Sequence, residues 1–223
     1  MLVAIEGIDG SGKSHQAALL AAALEENGRW AQVIGLEEHR PIRQLYRRLI
    51  SEPDGFPSPR TSVFLALADV AFVLDELVRA LEDEGCVSIC HRYMYSAITD
   101  ALALGMPAKP LLALGGLFRV PDLVVFIATS PSVALARKGS VSLAEAGGPD
   151  FEALYPDRNR AFVEFQSRIQ SSYRSILRPP LIPMNRCVVV DGDGASEAIH
   201  KSILGAVQDA FLGSCAGHCP GRL

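Results

Sequence analysis

The sequence lacks any apolar run long enough to cross a membrane, because charged residues interrupt such stretches well before about 20 residues. The first apolar segment begins at Leu2 and leaves no room for a signal peptide. We therefore expect a cytoplasmic protein that makes no use of a membrane. Positive charge is not in excess either, and the formal net charge of −4 argues against a partner that is nucleic acid held through bulk charge.

Cysteines, internal repeats and low-complexity linkers are also scarce or missing. The five cysteines are too few and too scattered for a disulfide scaffold. We expect one domain over residues 1–223, with residues 213–223 as a flexible tail. Cys215, His218 and Cys219 have a spacing that a zinc site could use, but no second pair of ligands is near, so a frayed end is favoured.

A glycine-rich turn directly follows the first apolar run. Residues 2–5 read Leu-Val-Ala-Ile, which is typical of a short buried strand. The turn that follows is Gly7-Ile8-Asp9-Gly10-Ser11-Gly12-Lys13-Ser14. A helical pattern over residues 17–26 comes next, so the turn lies between a strand and a helix.

The residue types of this turn match the needs of a nucleotide triphosphate. Its glycines leave backbone amides open to phosphate oxygens, with no side chain between them. Lys13 can reach the β and γ phosphates, and the Ser14 hydroxyl can ligate Mg²⁺. The turn therefore predicts an ATP or GTP site at a helix N-terminus.

The rest of the chain alternates apolar strands with helices. The strand patterns cover residues 31–36, 86–90, 122–129 and 187–190. Such alternation predicts an α/β fold, in which helices cover both faces of a parallel sheet. Within a predicted helix over residues 61–84, residues 63–74 are apolar nearly all round except for Asp69, which predicts cover by the core and by a second subunit in a homodimer.

Polar residues collect where the predicted strands end. They are residues 37–40, the run His91, Arg92 and Tyr93, and Asp191. Ligands of such sheets bind beyond the carboxyl ends of the strands, so these residues and the glycine-rich turn are expected to form one active site. Arg43, Arg47 and Arg48 are expected to be a solvated helix face rather than a phosphate clamp.

Six segments together are similar to one known family. They are residues 5–14 with Gln16, residues 85–93 with Ser96, residues 121–123 with Pro131, residues 133–137, the spaced set Phe165, Arg168 and Tyr173, and residues 188–191. Over nearly its whole length the chain resembles the thymidylate kinases. The resemblance implies a P-loop kinase fold with a five-stranded parallel sheet, and a short lid at about residues 138–160. It also implies transfer of the γ-phosphoryl group of ATP, with Mg²⁺, to a small-molecule phosphate acceptor.

The resemblance also implies roles for residues. Lys13 would hold the ATP phosphates, Arg92 the acceptor phosphate, and Asp9 the acceptor's sugar hydroxyl or the metal's waters. The arginine that neutralises charge during phosphoryl transfer would come from the lid. Arg158 is the first choice, and Arg160 or Arg137 is the alternative. The predicted nucleotide-binding set is Gly7, Asp9, Gly10, Ser11, Gly12, Lys13, Ser14 and Asp191, and the predicted acceptor set is Arg40, Asp69, His91, Arg92, Tyr93 and Ser96.

The chain departs from the family pattern mainly in the acceptor region. His91 stands where the family has an aspartate, and an imidazole cannot replace that charge near magnesium. Ala66 and Val70 stand where the family has a base-stacking phenylalanine and a base-reading arginine. Residues 37–42 replace the family's Arg-Glu-Pro-Gly-Gly-Thr.

Three interpretations therefore stay open. They are a kinase for a nucleoside monophosphate that need not be dTMP, a kinase for another small acceptor (a modified nucleotide, a nucleoside or a non-nucleotide phosphate), and a non-catalytic nucleotide-binding protein. Individual residues also have structural alternatives: His91 could simply form a hydrogen bond at a strand end, Asp69 could be a paired carboxylate at a subunit contact, and Arg158 could be lid surface.

Overall fold

The structure is a computed structural model that describes residues 1–35, 41–51, 55–177 and 180–216, with side chains up to residue 212. Arg40 and the other polar residues predicted at positions 37–40 lie outside this set, as do the side chains of Cys215, His218 and Cys219. The description that follows is confined to the described residues.

Five parallel strands form one sheet in the order β2-β3-β1-β4-β5. The strands are β1 Leu2–Gly7, β2 Ala31–Ile34, β3 Val87–His91, β4 Leu123–Ala128 and β5 Cys187–Asp191. All carboxyl ends lie at one edge because every pairing is parallel. β1 is central and buried along its whole length, which explains its uninterrupted apolar pattern.

Helices join the strands and cover the sheet. Over the described residues the α-helices are α1 Lys13–Glu26, α2 Pro41–Ser51, α3 Pro59–Val73, α4 Arg79–Asp83, α5 Met94–Ala103, α6 Ala108–Gly115, α7 Pro131–Ala136, α8 Pro149–Glu152, α9 Arg158–Leu177 and α10 Ser196–Ala216. A π-helical turn, Leu74–Val78, joins α3 to α4, and a 3₁₀ turn, Ala144–Ala146, precedes α8.

The two sheet faces pack against different helices because successive residues of a strand point to opposite sides. Leu2 and Ala4 belong to one buried cluster, with residues of α3, α5 and α9. Val3 and Ile5 belong to the other, with residues of α1 and α10. The predicted α/β P-loop kinase fold, with helices on both faces of a five-stranded parallel sheet, is confirmed.

Several predicted boundaries shift. The strand predicted over residues 31–36 ends at Ile34, and the helix predicted from residue 17 already begins at Lys13. The last helix continues to Ala216 and so includes the first residues of the segment predicted as a tail. α5 and α6 were not predicted, because apolar residues spread round them and hide the helical period.

The segment predicted as a lid connects α7 to α9. It contains the 3₁₀ turn and α8, while Arg158 and Arg160 already lie in the first turn of α9. Within the described ranges, no helix combines the length and the hydropathy that a transmembrane span requires.

Candidate active site

The glycine-rich turn wraps round the ammonium group of Lys13. Gly12, with a φ of 88°, is the N-cap of α1 and starts the helix at Lys13. The Lys13 Nζ donates hydrogen bonds to the carbonyl oxygens of Gly7, at 2.8 Å, and Ile8, at 2.6 Å. A Cβ at Gly10 would lie 2.6 Å from the carbonyl oxygen of Ala134, and its φ of 81° is also unfavourable for other residues. The turn therefore has room for backbone but not for a side chain at position 10.

The serines of the turn have different environments. Ser11 is buried, and its Oγ makes no hydrogen bond to the residues that the structure describes. Ser14 lies exposed in the first turn of α1. An unsatisfied buried hydroxyl inside a backbone cradle is suited to a ligand that brings hydrogen-bond acceptors, as a phosphate does.

The pKa of Lys13 is lowered to about 8. Burial of the ammonium is the main cause, and the nearby Arg92 lowers it further, while Asp9 and Glu6 act in the opposite direction. The ammonium is therefore close to losing its proton at moderately alkaline pH when no phosphate is present.

We expect kcat/KM for ATP to fall as the pH rises through about 8. The protonated ammonium is the form that attracts phosphate, and kcat/KM reports the free enzyme, in which the pKa of Lys13 is low. A pH profile at saturating acceptor measures this. In Lys13→Arg, whose charge persists across this range, the residual activity should not show that fall. A wild-type profile that stays level to about pH 10 would contradict the assignment.

Arg92 follows β3 in a left-handed backbone conformation. Its φ of 69° is the one positive value among the described non-glycine residues. The Arg92 N donates to the carbonyl oxygen of Ile5 at 3.1 Å. The next backbone N–H, of Tyr93, donates to Glu6 Oε1 at 2.8 Å. These two bonds hold a conformation that costs about 1–3 kcal/mol in itself.

Glu6 is buried and holds the backbone that follows β3 in place. Besides the Tyr93 N–H, it accepts hydrogen bonds from the hydroxyl of Ser96 and from that of Tyr173, the latter at 2.7 Å. Burial raises the pKa of Glu6, while these donors lower it. Ser96 and the Tyr93 N–H are thus already engaged in positioning, and the Tyr93 hydroxyl donates to the carbonyl oxygen of Arg119 at 2.7 Å.

Two carboxylates flank the Arg92 guanidinium. One nitrogen contacts Asp9 directly, and the other lies 3.8 Å from Asp100 Oδ2. Burial alone would raise the pKa of Asp9, but Arg92 and Lys13 outweigh it and the pKa is lowered. The Asp9 N–H donates to Gln166 Oε1 at 2.9 Å, and Gln166 Nε2 donates to the Glu145 carbonyl oxygen at 2.8 Å. The loop is thereby tied to α9 and to the predicted lid.

A cavity of about 680 Å³ opens beside Arg92. Asp9 of the glycine-rich turn, Arg92 after β3 and residues of α3 all line it. Its described lining includes Asp9, Arg43, Tyr46, Arg47, Ala66, Asp69, Val70, Arg92, Tyr93, Ser96, Asp100, Phe165 and Arg168.

The predicted acceptor residues do not all reach this cavity. Asp69 does, although it is 2% exposed, and its Oδ1 accepts from the Arg43 N–H at 3.2 Å. His91 is half-buried and is not among the described lining residues. Its ring packs against Gly35, where an added Cβ would come within 2.3 Å of Nε2. The catalytic role of His91 and its alternative, a hydrogen bond at the strand end, both stay predictions.

The lid arginines lie elsewhere. Arg158 is exposed and pairs with Glu152 at 2.5 Å, and Arg160 pairs with Glu164 at 2.8 Å. Arg137 donates to the carbonyl oxygens of Gly192, at 2.7 Å, and Gly194, at 3.1 Å, in the loop after β5. None of the three arginines is among the described residues that line the cavity. Asp191 ends β5 at the same sheet edge, is exposed, and accepts from the Asp193 N–H at 3.0 Å.

Other residues that line the cavity were not predicted to do so. Arg43 and Arg47 line it from α2, where Arg43 is half-buried and Arg47 is exposed, so the predicted solvated face borders the cavity. Arg168 lines it from α9 and lies over the Phe151 ring, 4.8 Å from the centroid. Asp100 lines it from α5. Two sequence features could have indicated Asp100. It is the single charge in an otherwise apolar segment, and it lies one helical turn after Ser96, which was predicted in the site.

A thymidylate kinase family model matches residues 5–203, which is most of the chain. The chain belongs to the thymidylate kinase family. Its reaction class and its use of ATP follow from that membership. This family member is an ATP-dependent nucleoside monophosphate kinase, and the interpretation as a non-catalytic nucleotide-binding protein is set aside.

Curated relatives match along almost their whole length. The thymidylate kinase of Solidesulfovibrio magneticus is 30% identical over 215 residues, with 93% of this chain and 98% of the relative covered. That of Chlorobaculum parvum is 29% identical, with 93% and 95% covered. That of Dinoroseobacter shibae is 33% identical over 213 residues, with 91% and 94% covered. The similarity therefore extends over the complete kinase fold of these relatives.

Proposed function

We propose that this thymidylate kinase family member phosphorylates a nucleoside monophosphate other than dTMP, one whose base carries an amino group. The observation that carries the proposal is the Asp69 carboxylate, buried in the cavity wall between Ala66 and Val70. Position 66 offers no ring for stacking, and position 70 offers no hydrogen-bond donor to a carbonyl.

A buried carboxylate selects for donors because an ionised carboxyl group only accepts hydrogen bonds. Cytosine, adenine and guanine each present an amino group, and an aspartate accepts well from an amino group of this kind. Thymine presents a single N–H between two carbonyl oxygens, and those oxygens would face the negative charge of Asp69. The Arg43 N–H bond keeps the carboxylate in place for this contact.

The phosphate ends of the two substrates meet at Lys13 and Arg92. Lys13, now bonded to two loop carbonyls, would turn to the β and γ phosphates, and the loop amides would hold them. Arg92 would hold the acceptor phosphate, an oxygen of which attacks the γ-phosphorus as the bond to the ADP oxygen breaks. Mg²⁺ would neutralise charge on the transferring group, with Ser14 as its protein ligand.

The test is kcat/KM, measured by ADP release, over a panel containing dTMP, UMP, CMP, dCMP, AMP and GMP. We expect amino-bearing bases to exceed dTMP and UMP by on the order of 10²- to 10⁴-fold, the range in which a site built for one polar group rejects an analogue without it. Asp69→Asn should reduce the ratio of kcat/KM for amino-bearing bases to kcat/KM for dTMP and UMP. Asp75→Asn, an exposed change in the following π-helical turn, should leave it unchanged.

A second candidate acceptor is dTMP itself. It is favoured by the curated relatives, which are named thymidylate kinases. Efficient turnover that is selective for dTMP, and unaffected in Asp69→Asn, would overturn the first proposal and establish this one.

We infer further that two copies of the chain associate through α3. Phe64 and Phe72 are 54% and 39% exposed on this helix, while Val63, Leu67 and Val70 face the core. Two exposed phenylalanines at a helical spacing of eight residues form an apolar stripe that a partner subunit can cover.

Sedimentation of a dilute sample is expected to give a dimer. Phe64→Glu should shift it to a monomer, because a charge would be buried in the contact. Leu117→Glu is the matched control, since Leu117 is 78% exposed and follows α6 rather than lying on α3, and the variant should remain a dimer. A monomeric wild-type protein at high concentration would refute the association.

A further inference from the structure

Asp100 is a cavity carboxylate with hydrogen-bonding capacity to spare. Its side chain is 41% exposed, and its closest charged partner is Arg92 at 3.8 Å, beyond hydrogen-bond distance. No described residue donates a hydrogen bond to it. The other acidic groups of this corner differ, since Glu6 accepts three hydrogen bonds and Asp9 contacts Arg92 directly.

The electrostatics agree with this geometry. Burial raises the pKa of Asp100 to about 7, although Arg92 acts to lower it. A carboxylate that received hydrogen bonds from protein donors would be stabilised in its charged form. Asp100 thus presents an acceptor whose donors are not supplied by the described part of the chain.

The position of Asp100 places it beside the acceptor's sugar. Arg92 is the proposed contact of the acceptor phosphate, and Asp69 is the proposed contact of its base. In a nucleoside monophosphate the sugar lies between these two groups and follows the phosphate directly. Asp100 lines the same cavity, adjoins Arg92, and lies one helical turn after Ser96 on α5.

We propose that Asp100, rather than Asp9, whose carboxylate is paired directly with Arg92, binds the sugar hydroxyls of the acceptor, and that the acceptor is a ribonucleotide. The proposal rests on the proposed function, because it takes Arg92 as the phosphate end. In its ionised form, which predominates above pH 7, the Asp100 carboxylate offers two oxygens that only accept, and the vicinal hydroxyls of ribose offer two donors. A 2′-deoxyribose offers one donor and leaves part of the carboxylate without a partner, which is costly in a recessed site.

The test compares ribose and deoxyribose forms of the same base, so that it does not depend on which base is preferred. The pairs are CMP with dCMP, GMP with dGMP, and ribothymidine monophosphate with dTMP. The wild-type protein should favour the ribose member of each pair by roughly 10- to 100-fold in kcat/KM, the effect of one hydrogen bond to a charged group.

Variants separate sugar binding from a structural role. Asp100→Ala should bring the ribose-to-deoxyribose ratio close to one by weakening the ribose members more than the deoxyribose members, which lose one hydrogen bond instead of two, and Asp100→Asn should keep part of the ratio. Asp69→Asn should change the base preference but not this ratio. Calorimetric titration of CMP and dCMP into the protein with ADP gives the same ratio as binding constants, so the sugar contact is tested even if turnover is slow.

Equal kcat/KM and equal binding constants for ribose and deoxyribose members would overturn the inference. So would Asp100→Ala if it weakened both members of a pair alike, since a residue that only holds Arg92 has that effect. Suppose that dTMP and ribothymidine monophosphate had the highest kcat/KM of all pairs, and that the ribose member exceeded dTMP. The proposal about the base would then fail, while the inference about the sugar would stand.

Discussion

Lys13→Ala is expected to lower kcat/KM for ATP by about 10²- to 10³-fold, the usual effect of removing one preorganised positive partner in phosphoryl transfer. The ammonium is 6% exposed and is held inside the turn by two carbonyl oxygens, so no other described cation occupies that place. The loop amides remain in the variant and would preserve some nucleotide binding. Single-turnover measurements at saturating ATP separate that binding from chemistry.

The folded state should tolerate this change. A buried ammonium with a lowered pKa is costly to the fold, so Lys13→Ala should not lower the melting temperature by more than a few degrees. Lys201→Ala on the exposed face of α10 is the matched control and should retain full activity. Wild-type activity in Lys13→Ala with any acceptor would show that the glycine-rich turn is not the chemical site.

Arg92→Ala is expected to reduce kcat/KM for the acceptor by roughly 10³-fold or more, as for other arginines that stabilise a transferring phosphoryl group. The variant loses the proposed phosphate contact. It also leaves Asp9 and Asp100 without the guanidinium between them, so that two carboxylates would face an anionic acceptor. The KM for ATP should change much less.

Arg92→Gly distinguishes charge from backbone strain. The φ of 69° suits glycine and strains alanine, so Arg92→Gly should melt at a higher temperature than Arg92→Ala. Both variants lack the guanidinium and should lose activity equally. If kcat/KM for ATP fell as much as kcat/KM for the acceptor, Arg92 would instead be assigned to the binding of ATP.

The glycine-rich turn could be predicted from the sequence because its residues are neighbours along the chain. Gly7 to Ser14 are consecutive, and the strand before them and the helix after them are short-range features with strong patterns. The parallel sheet was readable for a similar reason, since β1 and β4 are buried on both faces and leave continuous apolar runs. The family resemblance was then confirmed by the match over residues 5–203.

The acceptor cavity could not be read in the same way. Its walls come from α2, α3, α5 and α9, and residues such as Arg47, Asp100 and Arg168 border one cavity only when α3, α5 and α9 pack on the same sheet face and α2 packs on α3. Arg47 and Arg168 look like ordinary helix surface in their own segments. The spacing of residues within one helix does not indicate which side of a neighbouring helix those residues face.

The sequence alone indicated the α/β class and the glycine-rich turn through residues that are close along the chain, and the reaction type through a resemblance that spans nearly the whole chain. Tertiary structure alone decided that His91 packs against Gly35, that Arg158 pairs with Glu152, and that Asp100 adjoins Arg92. The first of these contacts joins residues 56 positions apart (91 minus 35), whereas the other two join residues six and eight positions apart. All three depend on the direction that the backbone takes after a strand or before a helix, and that direction is set only when the helices pack on the sheet.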